Sequence, residues 1–532
     1  MPRRSFWAWG MESDEPTTAQ RQQLAASLSK SYGVSLEVPA VPSSGDLDLR
    51  KPRITPPSSL ASICTTDTHD RAVHSYGRSF RDRIRAFNLQ FPSPPDVIAY
   101  PRDESEVEAV LDWCSSQGYA AIPFGAGSSV VGGIEPPENA AGVVTIDLAG
   151  LNRVLEIDDV SRAARIQAGV YGPALEEQLR PHGFTLRHFP QSFEFSTLGG
   201  WIATRSGGHY ATNQTHIDDF VESVRMVTPK GIWESRRLPG SGAGPSPDRL
   251  VLGSEGILGI ITEAWMRIQV RPRFRASAAV TFSTFAAGAE AVRQIVQTKL
   301  WPANCRLLDP GEALDALGFD GEHAVLVLGF ESGEVPQGEP MGQVIAIARD
   351  CGGVVDEDQI KILDQPGEET GRPEAVGAWR NAFLRAPYQR NITMGLGLVA
   401  ETLETAITWD RWPALDQSVR AALQESLNKV CGGGRVTCRF THVYPDGPAP
   451  YFTFEGMGRR GAELEMHQEI KRAASEAVVA AGGTITHHHA IGRVHRPWYD
   501  QQRPDLFAGA LRAAKSALDP NSVLNPGVLI DP

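Results

Sequence analysis

Three glycine-rich segments stand in a fixed order along this chain and limit what it can become. They read PFGAGSSVVGG at residues 123–133, PQSFEFSTLGGWIATRSGGHY at 190–210 and GSEGILGIITEA at 253–264. The first follows the strand-like AAIPF and carries Gly125, Gly127, Gly132 and Gly133. Small residues let a backbone approach a phosphate closely, and consecutive N–H groups there form an anion nest. Taken alone, the loop is equally a plain glycine turn. It is not a Walker A loop, because no GK[ST] follows, and it is not a GxGxxG opening a helix. The set of three is far more restrictive than any one member.

The chain has 532 residues, 41% of them apolar, which favours two or more domains over one core. A net charge of −12 argues against coating nucleic acid or an anionic membrane through bulk charge, and leaves a local basic pocket open. The six cysteines are scattered without a CxxC pair, which fits a reduced compartment. The N-terminal MPRRSFWAWGMESDEPTT has two arginines but no apolar run after them, and no stretch of about 20 apolar residues follows anywhere. The chain ends without a peroxisomal tripeptide. The expectation is a cytoplasmic protein with peripheral membrane contact at one surface.

Residues 1–90 read as an N-terminal extension that packs on the main body, with a short amphipathic stretch from Arg21 to Leu36 and a Pro/Ser-rich connector after it. Near residue 97 strand and helix signals begin to alternate. Asp103 is the N-cap of a helix whose apolar positions Val107, Val110, Leu111 and Cys114 follow helical spacing, and Gly118 ends it. Residues 153–170 read as a hairpin through Asp158 and Asp159, and Pro173 opens another helix. From about residue 273 the pattern restarts with strands SAAVTFSTF, RLLDP, HAVLVLGFE and VTCRFTHVY. A helix from Glu463 then carries Met466, Ile470, Ala473 and Ala477 on one face, and TITHHH leaves it as a strand. This is an α+β pattern rather than regular βαβ winding. The divisions are 1–90, 91–272, 273–480 and a C-terminal segment, 481–532.

That C-terminal segment holds THHHAIG, residues 486–492. Three histidines in a row suit a metal site, a proton-handling site or a polar strand end. On a strand, His487 and His489 point one way and His488 the other.

Together the three glycine-rich segments and the closing LDPNSVLNPG (518–527) resemble the FAD domain of the vanillyl-alcohol-oxidase (para-cresol methylhydroxylase, PCMH) flavoprotein superfamily, over roughly residues 90–532. The resemblance implies a two-domain, PCMH-type fold: a discontinuous FAD-binding domain, and a substrate (cap) domain on an antiparallel sheet. It implies FAD binding by Pro123, Phe124, Gly125, Ala126, Gly127, Ser128 and Ser129 around the pyrophosphate. Gln191, Ser192, Glu194, Phe195, Ser196, Thr197, Gly200, Thr204, Arg205, Ser206 and Gly207 come from the second segment. Glu255, Gly256, Leu258, Gly259 and Ile261 come from the third. RSGGH at 205–209 is similar to a covalent attachment motif, which in the superfamily sits in the pyrophosphate loop. Here that loop has no histidine, so non-covalent FAD is expected and His209 is incidental.

Within the superfamily, 2-hydroxy-acid oxidases carry a Glu-His pair that helps a divalent metal hold substrate. His488 stands where that glutamate is expected. A triple histidine is instead similar to the alkyldihydroxyacetonephosphate synthase branch. CRLLDP, APYQRNITMGLGLVAETLETAITWD, TCRFTHVYPDGPAPYFTF and the N-terminal FWAWG resemble the same branch. That likeness implies exchange of the acyl group of acyl-dihydroxyacetone phosphate for a fatty alcohol, through a covalent adduct at flavin N5, with no net redox change. The alternative is an FAD-linked oxidase or dehydrogenase of a 2-hydroxy acid. The synthase likeness implies Arg306 and Arg390 as phosphate clamps, because a guanidinium fork binds phosphate bidentately. Tyr451 and His489 become the proton-handling pair, with His487, His488 and Thr402 shaping the site, and strand alternation assigns His487 and His489 to the pocket ahead of His488. No metal, no nucleic acid and a homodimer are expected. Departures are Thr402 for serine, Thr453 for a second tyrosine and Ala490 for glycine. Residues 312–383 diverge, so the acyl-chain tunnel has no placement.

Overall fold

The computed structural model describes residues 3–364 and 374–531, with side chains described outside 374–382 and 384. Part of the divergent stretch, residues 365–373, thus lies outside the described residues. Local sequence signals set many of the elements. Helix Glu104–Gln117 begins where the Asp103 carboxylate accepts the Glu106 amide and ends at Gly118, whose φ of 68° is the left-handed region that glycine tolerates. Its buried residues are Val107, Val110, Leu111 and Cys114.

The first sheet has four strands in the order Cys64–Thr65, Val97–Ala99, Val143–Asp147, Ala120–Phe124, the last three mutually parallel. Val143–Asp147 is buried throughout, as expected of a strand covered on both faces. The chain's end returns here: the Ala121 amide donates to Val523 O, and Asn525 N donates to Ala121 O. The second sheet is antiparallel, in the order Val154–Asp158, Ala163–Gln167, Ile260–Arg267, Val221–Thr228, Gly231–Glu234. The third is antiparallel with seven strands: Lys361–Leu363, Phe274–Phe282, Ala324–Ser332, Asn304–Leu308, Arg435–Val443, Pro448–Met457, Leu398–Glu404.

Residues before the first sheet pack deep into the rest. Phe6, Trp7, Ala8 and Trp9 are all buried. Asn391 holds this segment from helix Glu374–Thr393, accepting the Trp9 amide at 2.9 Å and donating to the Trp9 carbonyl at 2.9 Å.

Two sequence expectations need correction. On helix Glu463–Ala480 the buried stripe is Met466, Ile470, Ala474 and Val478, an i, i+4 row, rather than one through Ala473 and Ala477. Thr484–His489 is not a strand but an irregular turn. The reason is a buried carboxylate. No helix among the described residues is long and apolar enough to cross a membrane.

Candidate active site

The loops of the first two sheets and one face of the third surround a cavity of about 570 Å³. On its first-sheet side, residues 123–131 form the wall. The amides of Ala126, Gly127, Ser128, Ser129 and Val130 meet no acceptor among the described residues. Five successive free N–H groups are an anion nest. Two glycines in this loop are sterically required. A Cβ at Gly125 would lie 2.2 Å from Thr197 Oγ1, and one at Gly127 (φ +69°) would lie 2.7 Å from the Phe124 ring. A pyrophosphate needs such a cradle, so the residues present fit FAD.

Asn525 joins the glycine-rich segments at the far end. Its Nδ2 donates to Gly133 O at 2.9 Å and to Glu255 O at 2.7 Å. The Glu255 carboxylate accepts the Ile491 and Gly492 amides at 2.9 and 2.8 Å, and burial pushes its pKa up to about 7. Thus the first loop, the third segment, the histidine loop and the C-terminal motif form one connected structure.

The opposite wall comes from three neighbouring strands of the seven-stranded sheet. Arg439 pairs with Tyr451, and Tyr451 with Glu404, so the three side chains form a cross-strand row on one face. Thr402, two residues from Glu404, shares that face. The Tyr451 hydroxyl donates to Thr402 Oγ1 at 3.0 Å. The Arg439 guanidinium lies 4.0 Å from the Tyr451 ring centroid and pairs with Glu312 at 2.9 Å. A register shift between Phe440 and His442 turns His442 into the same wall.

Glu404 organises the histidines. Its carboxylate accepts the amides of His487 (2.7 Å), His488 (3.1 Å) and His489 (3.0 Å). Burial alone would raise its pKa. The His488 and His489 imidazoles beside it hold it well below the ordinary carboxylate range. Three successive amides converging on one anion require a turn, which is why the triplet does not alternate as a strand. His488 and His489 therefore both line the cavity, whereas His487 stands behind them, its Nε2 2.7 Å from the Tyr444 hydroxyl and 3.2 Å from His216 Nε2. The Tyr451 ring is 5.6 Å from the His489 ring, edge to face. Burial lowers the His489 pKa to about 3, so its imidazole is neutral.

Cationic side chains crowd a second patch of the wall. Arg390, Lys471, Arg472 and Arg439 all line it. Arg390 lies 3.5 Å from Glu401, and Lys471 Nζ donates to Thr402 O at 2.6 Å. Glu401 is buried beside His467 and Arg390. Burial would raise its carboxyl, but these partners hold it well below the usual range.

Of the expected site residues, Tyr451, His488, His489, Thr402 and Arg390 share the cavity, with Pro123–Ser129, Gln191, Ser192, Thr197, Gly200, Thr204, Ser206, Gly207, Glu255, Gly256, Gly259 and Ile261. Several others stand off its wall. Arg306 is buried a layer behind, donating to His209 O at 2.9 Å and Asn304 Oδ1 at 3.1 Å, with its guanidinium 5.7 Å from the Phe383 ring. Burial lowers its pKa to about 10. Glu194 accepts a hydrogen bond from Tyr388, Phe195 packs on Trp9 and Arg4, and Ser196 accepts from Trp201 Nε1. Arg205 is turned outward to Asp218 at 3.0 Å, and Leu258 lies in the core. His209 is likewise off the cavity, packed on Phe189 and Tyr210. Sequence reasoning missed Glu404, Arg439, His442 and Lys471. A signal existed for the first two: each is a charged residue on a strand, LVAETLE and RVTCRFTHV, that is buried at that position.

The fold and cradle define an FAD-binding flavoprotein with a cap domain on an antiparallel sheet. Residues 95–235 match the FAD binding domain family, and 271–529 match the C-terminal domain of FAD linked oxidases. The alkyldihydroxyacetonephosphate synthase of Dictyostelium discoideum is 31% identical over 472 residues, covering 86% of this chain and 77% of that protein. The Caenorhabditis elegans protein of the same name is 31% identical over 480 residues, covering 87% and 80%. A solved alkyldihydroxyacetonephosphate synthase superposes with a TM-score of 0.77 at 26% identity, covering 94% of this chain and 90% of that one. The chain belongs to the alkyldihydroxyacetonephosphate synthase family, and FAD is its cofactor.

Proposed function

We propose that this protein exchanges the acyl group of acyl-dihydroxyacetone phosphate for a fatty alcohol, forming an ether lipid precursor without net oxidation, on non-covalently held FAD. The observation that carries this reading is the joint placement of Tyr451, Thr402, His488 and His489 on one wall, beside a cationic patch containing Arg390. When bound, FAD supplies a nucleophilic ring nitrogen and an electron sink. The residues do the rest. Arg390, aided by the positive field of Lys471 and Arg472, takes the phosphate dianion of the substrate. Tyr451, hydrogen-bonded to Thr402 and flanked by Arg439, sits where its hydroxyl can pass protons to and from the substrate. His489, edge to face with Tyr451, is its proton-handling partner on the same wall. The Glu404 carboxylate fixes the backbone of His488 and His489, so both imidazoles hold position through the cycle.

His209, the residue of the apparent attachment motif, packs away from the cavity, which supports a non-covalent flavin. Because both lipid substrates partition into bilayers, the enzyme works in peripheral contact with a membrane, from the cytoplasmic side.

Anaerobic mixing tests the assignment. Acyl-dihydroxyacetone phosphate and a fatty alcohol should yield free fatty acid and the ether product without oxygen. Bleaching of the flavin by D-lactate, glycolate or D-2-hydroxyglutarate would overturn it in favour of hydroxy-acid oxidation.

A further inference from the structure

We infer that His442, His487 and His488 form a binding site for one divalent cation of borderline softness, Zn²⁺ in type, open toward the cavity. Each of the three offers one donor atom, and all three donors lie within 4.8 Å of one another. The rings form a nearly equilateral triangle, with centroid separations of 5.1, 5.2 and 5.3 Å. The Nδ1 atoms of His487 and His488 are 3.1 Å apart. Tetrahedral nitrogen ligands about 2.0–2.1 Å from Zn²⁺ stand about 3.4 Å from each other. The triangle therefore needs only small ring rotations to close on an ion.

The outer hydrogen bonds are those a metal-binding histidine uses. His442 Nε2–H donates to Gly208 O at 3.0 Å, which fixes the tautomer and leaves the Nδ1 lone pair free. That Nδ1 is buried and has no partner among the described residues, in a residue only 1% exposed. His487 Nε2 is engaged by the Tyr444 hydroxyl at 2.7 Å, and Tyr444 in turn contacts Thr215 Oγ1 at 2.9 Å, which leaves His487 Nδ1 on the side of His488. Glu404 Oε2 lies 3.3 Å from His488 Nδ1 and 4.0 Å from His487 Nδ1, which places a negative charge beside the centre. Three imidazoles select Zn²⁺ over Mg²⁺ or Ca²⁺, which prefer oxygen.

His442 and His488 line the cavity and His487 does not, so the fourth coordination position faces the cavity. Water or a substrate oxygen takes that position.

The test uses the flavin-loaded full chain, stripped with EDTA and desalted. Calorimetric titration with ZnCl₂ and metal analysis should give one ion per chain, unmoved by excess Mg²⁺. X-ray absorption of the loaded protein should show three imidazole nitrogens at about 2.0–2.1 Å. His442→Gln and His487→Asn should each weaken binding by at least about tenfold, while His323→Ala, on an exposed site elsewhere, should not. An unchanged visible flavin spectrum verifies that each variant is folded. Where a variant loses its flavin, the absorption data on the unmodified protein decide. No bound ion, or fewer than three imidazole ligands, overturns the site and leaves a hydrogen-bonded histidine cluster. None of these readouts depends on which reaction the enzyme performs.

Discussion

Tyr451 shows how a single residue acquires its chemistry from its neighbours. Its ring is held by Arg439 on one strand and its hydroxyl by Thr402 on another. Removing only the hydroxyl, in Tyr451→Phe, should cut turnover by roughly 10²–10⁴-fold, the usual scale for a proton-transfer group. The flavin spectrum should be retained. Near-normal turnover in that variant would remove Tyr451 from the mechanism. Arg390→Lys keeps the charge but loses the fork. One charge-assisted hydrogen bond is worth about 1.5–3 kcal/mol, so kcat/KM should fall roughly 10- to 100-fold, mostly through KM. A kcat loss at unchanged KM would place Arg390 elsewhere in the cycle. Both residues were legible in the sequence because each sits in a motif quoted in full. Arg306 was equally prominent there, yet its partners are His209 O and Asn304, one layer behind the cavity. A motif fixes neighbours along the chain and says little about which layer of a packed domain a side chain occupies.

At the scale of elements, local signals sufficed where everything that shapes the segment lies within it and failed where a distant side chain shapes it. Helix Glu104–Gln117 obeys its local signals because its cap, its stripe and its terminal glycine all lie within the segment. The histidine loop does not, because its conformation is dictated by Glu404, more than 80 residues earlier in the chain (|i−j| of 83 for the first amide). No window around THHHAIG contains that carboxylate. Glu404→Gln should therefore do more than remove a charge. It replaces an acceptor pair with one oxygen and one NH₂, leaving one or more loop amides unpaired. The cost should be about 2–3 kcal/mol, with lower thermal stability and turnover together. A variant that loses turnover at unchanged melting temperature would show that Glu404 acts on the chemistry rather than on the loop.

Across the whole molecule, the N-terminal extension is tied into the fold at several points, and its amphipathic and Pro-rich sequence did not reveal the partners. One tie is Asp96, fully buried as a side chain. It is paired with Arg50 at 2.5 Å and Arg53 at 2.7 Å from the extension, and accepts the Val143 amide from the first sheet at 2.9 Å. Burial by itself would raise this carboxyl. The Arg53 and Arg50 hydrogen bonds outweigh that and bring its pKa down from 3.8 to about 2. A carboxyl depressed on folding stabilises the native state fully above its unfolded pKa, and that contribution disappears as pH falls through the folded value. The shift corresponds to about 2 kcal/mol. Asp96→Asn should thus lower the urea midpoint at about pH 7, with the difference from the parent shrinking progressively below about pH 4. The probe should be Trp7 and Trp9 fluorescence, since these residues lie in the segment being released. A difference that stayed constant down to about pH 2 would mean that the variant acts through packing, and that the extension is held by its buried aromatic residues instead of by this ion pair.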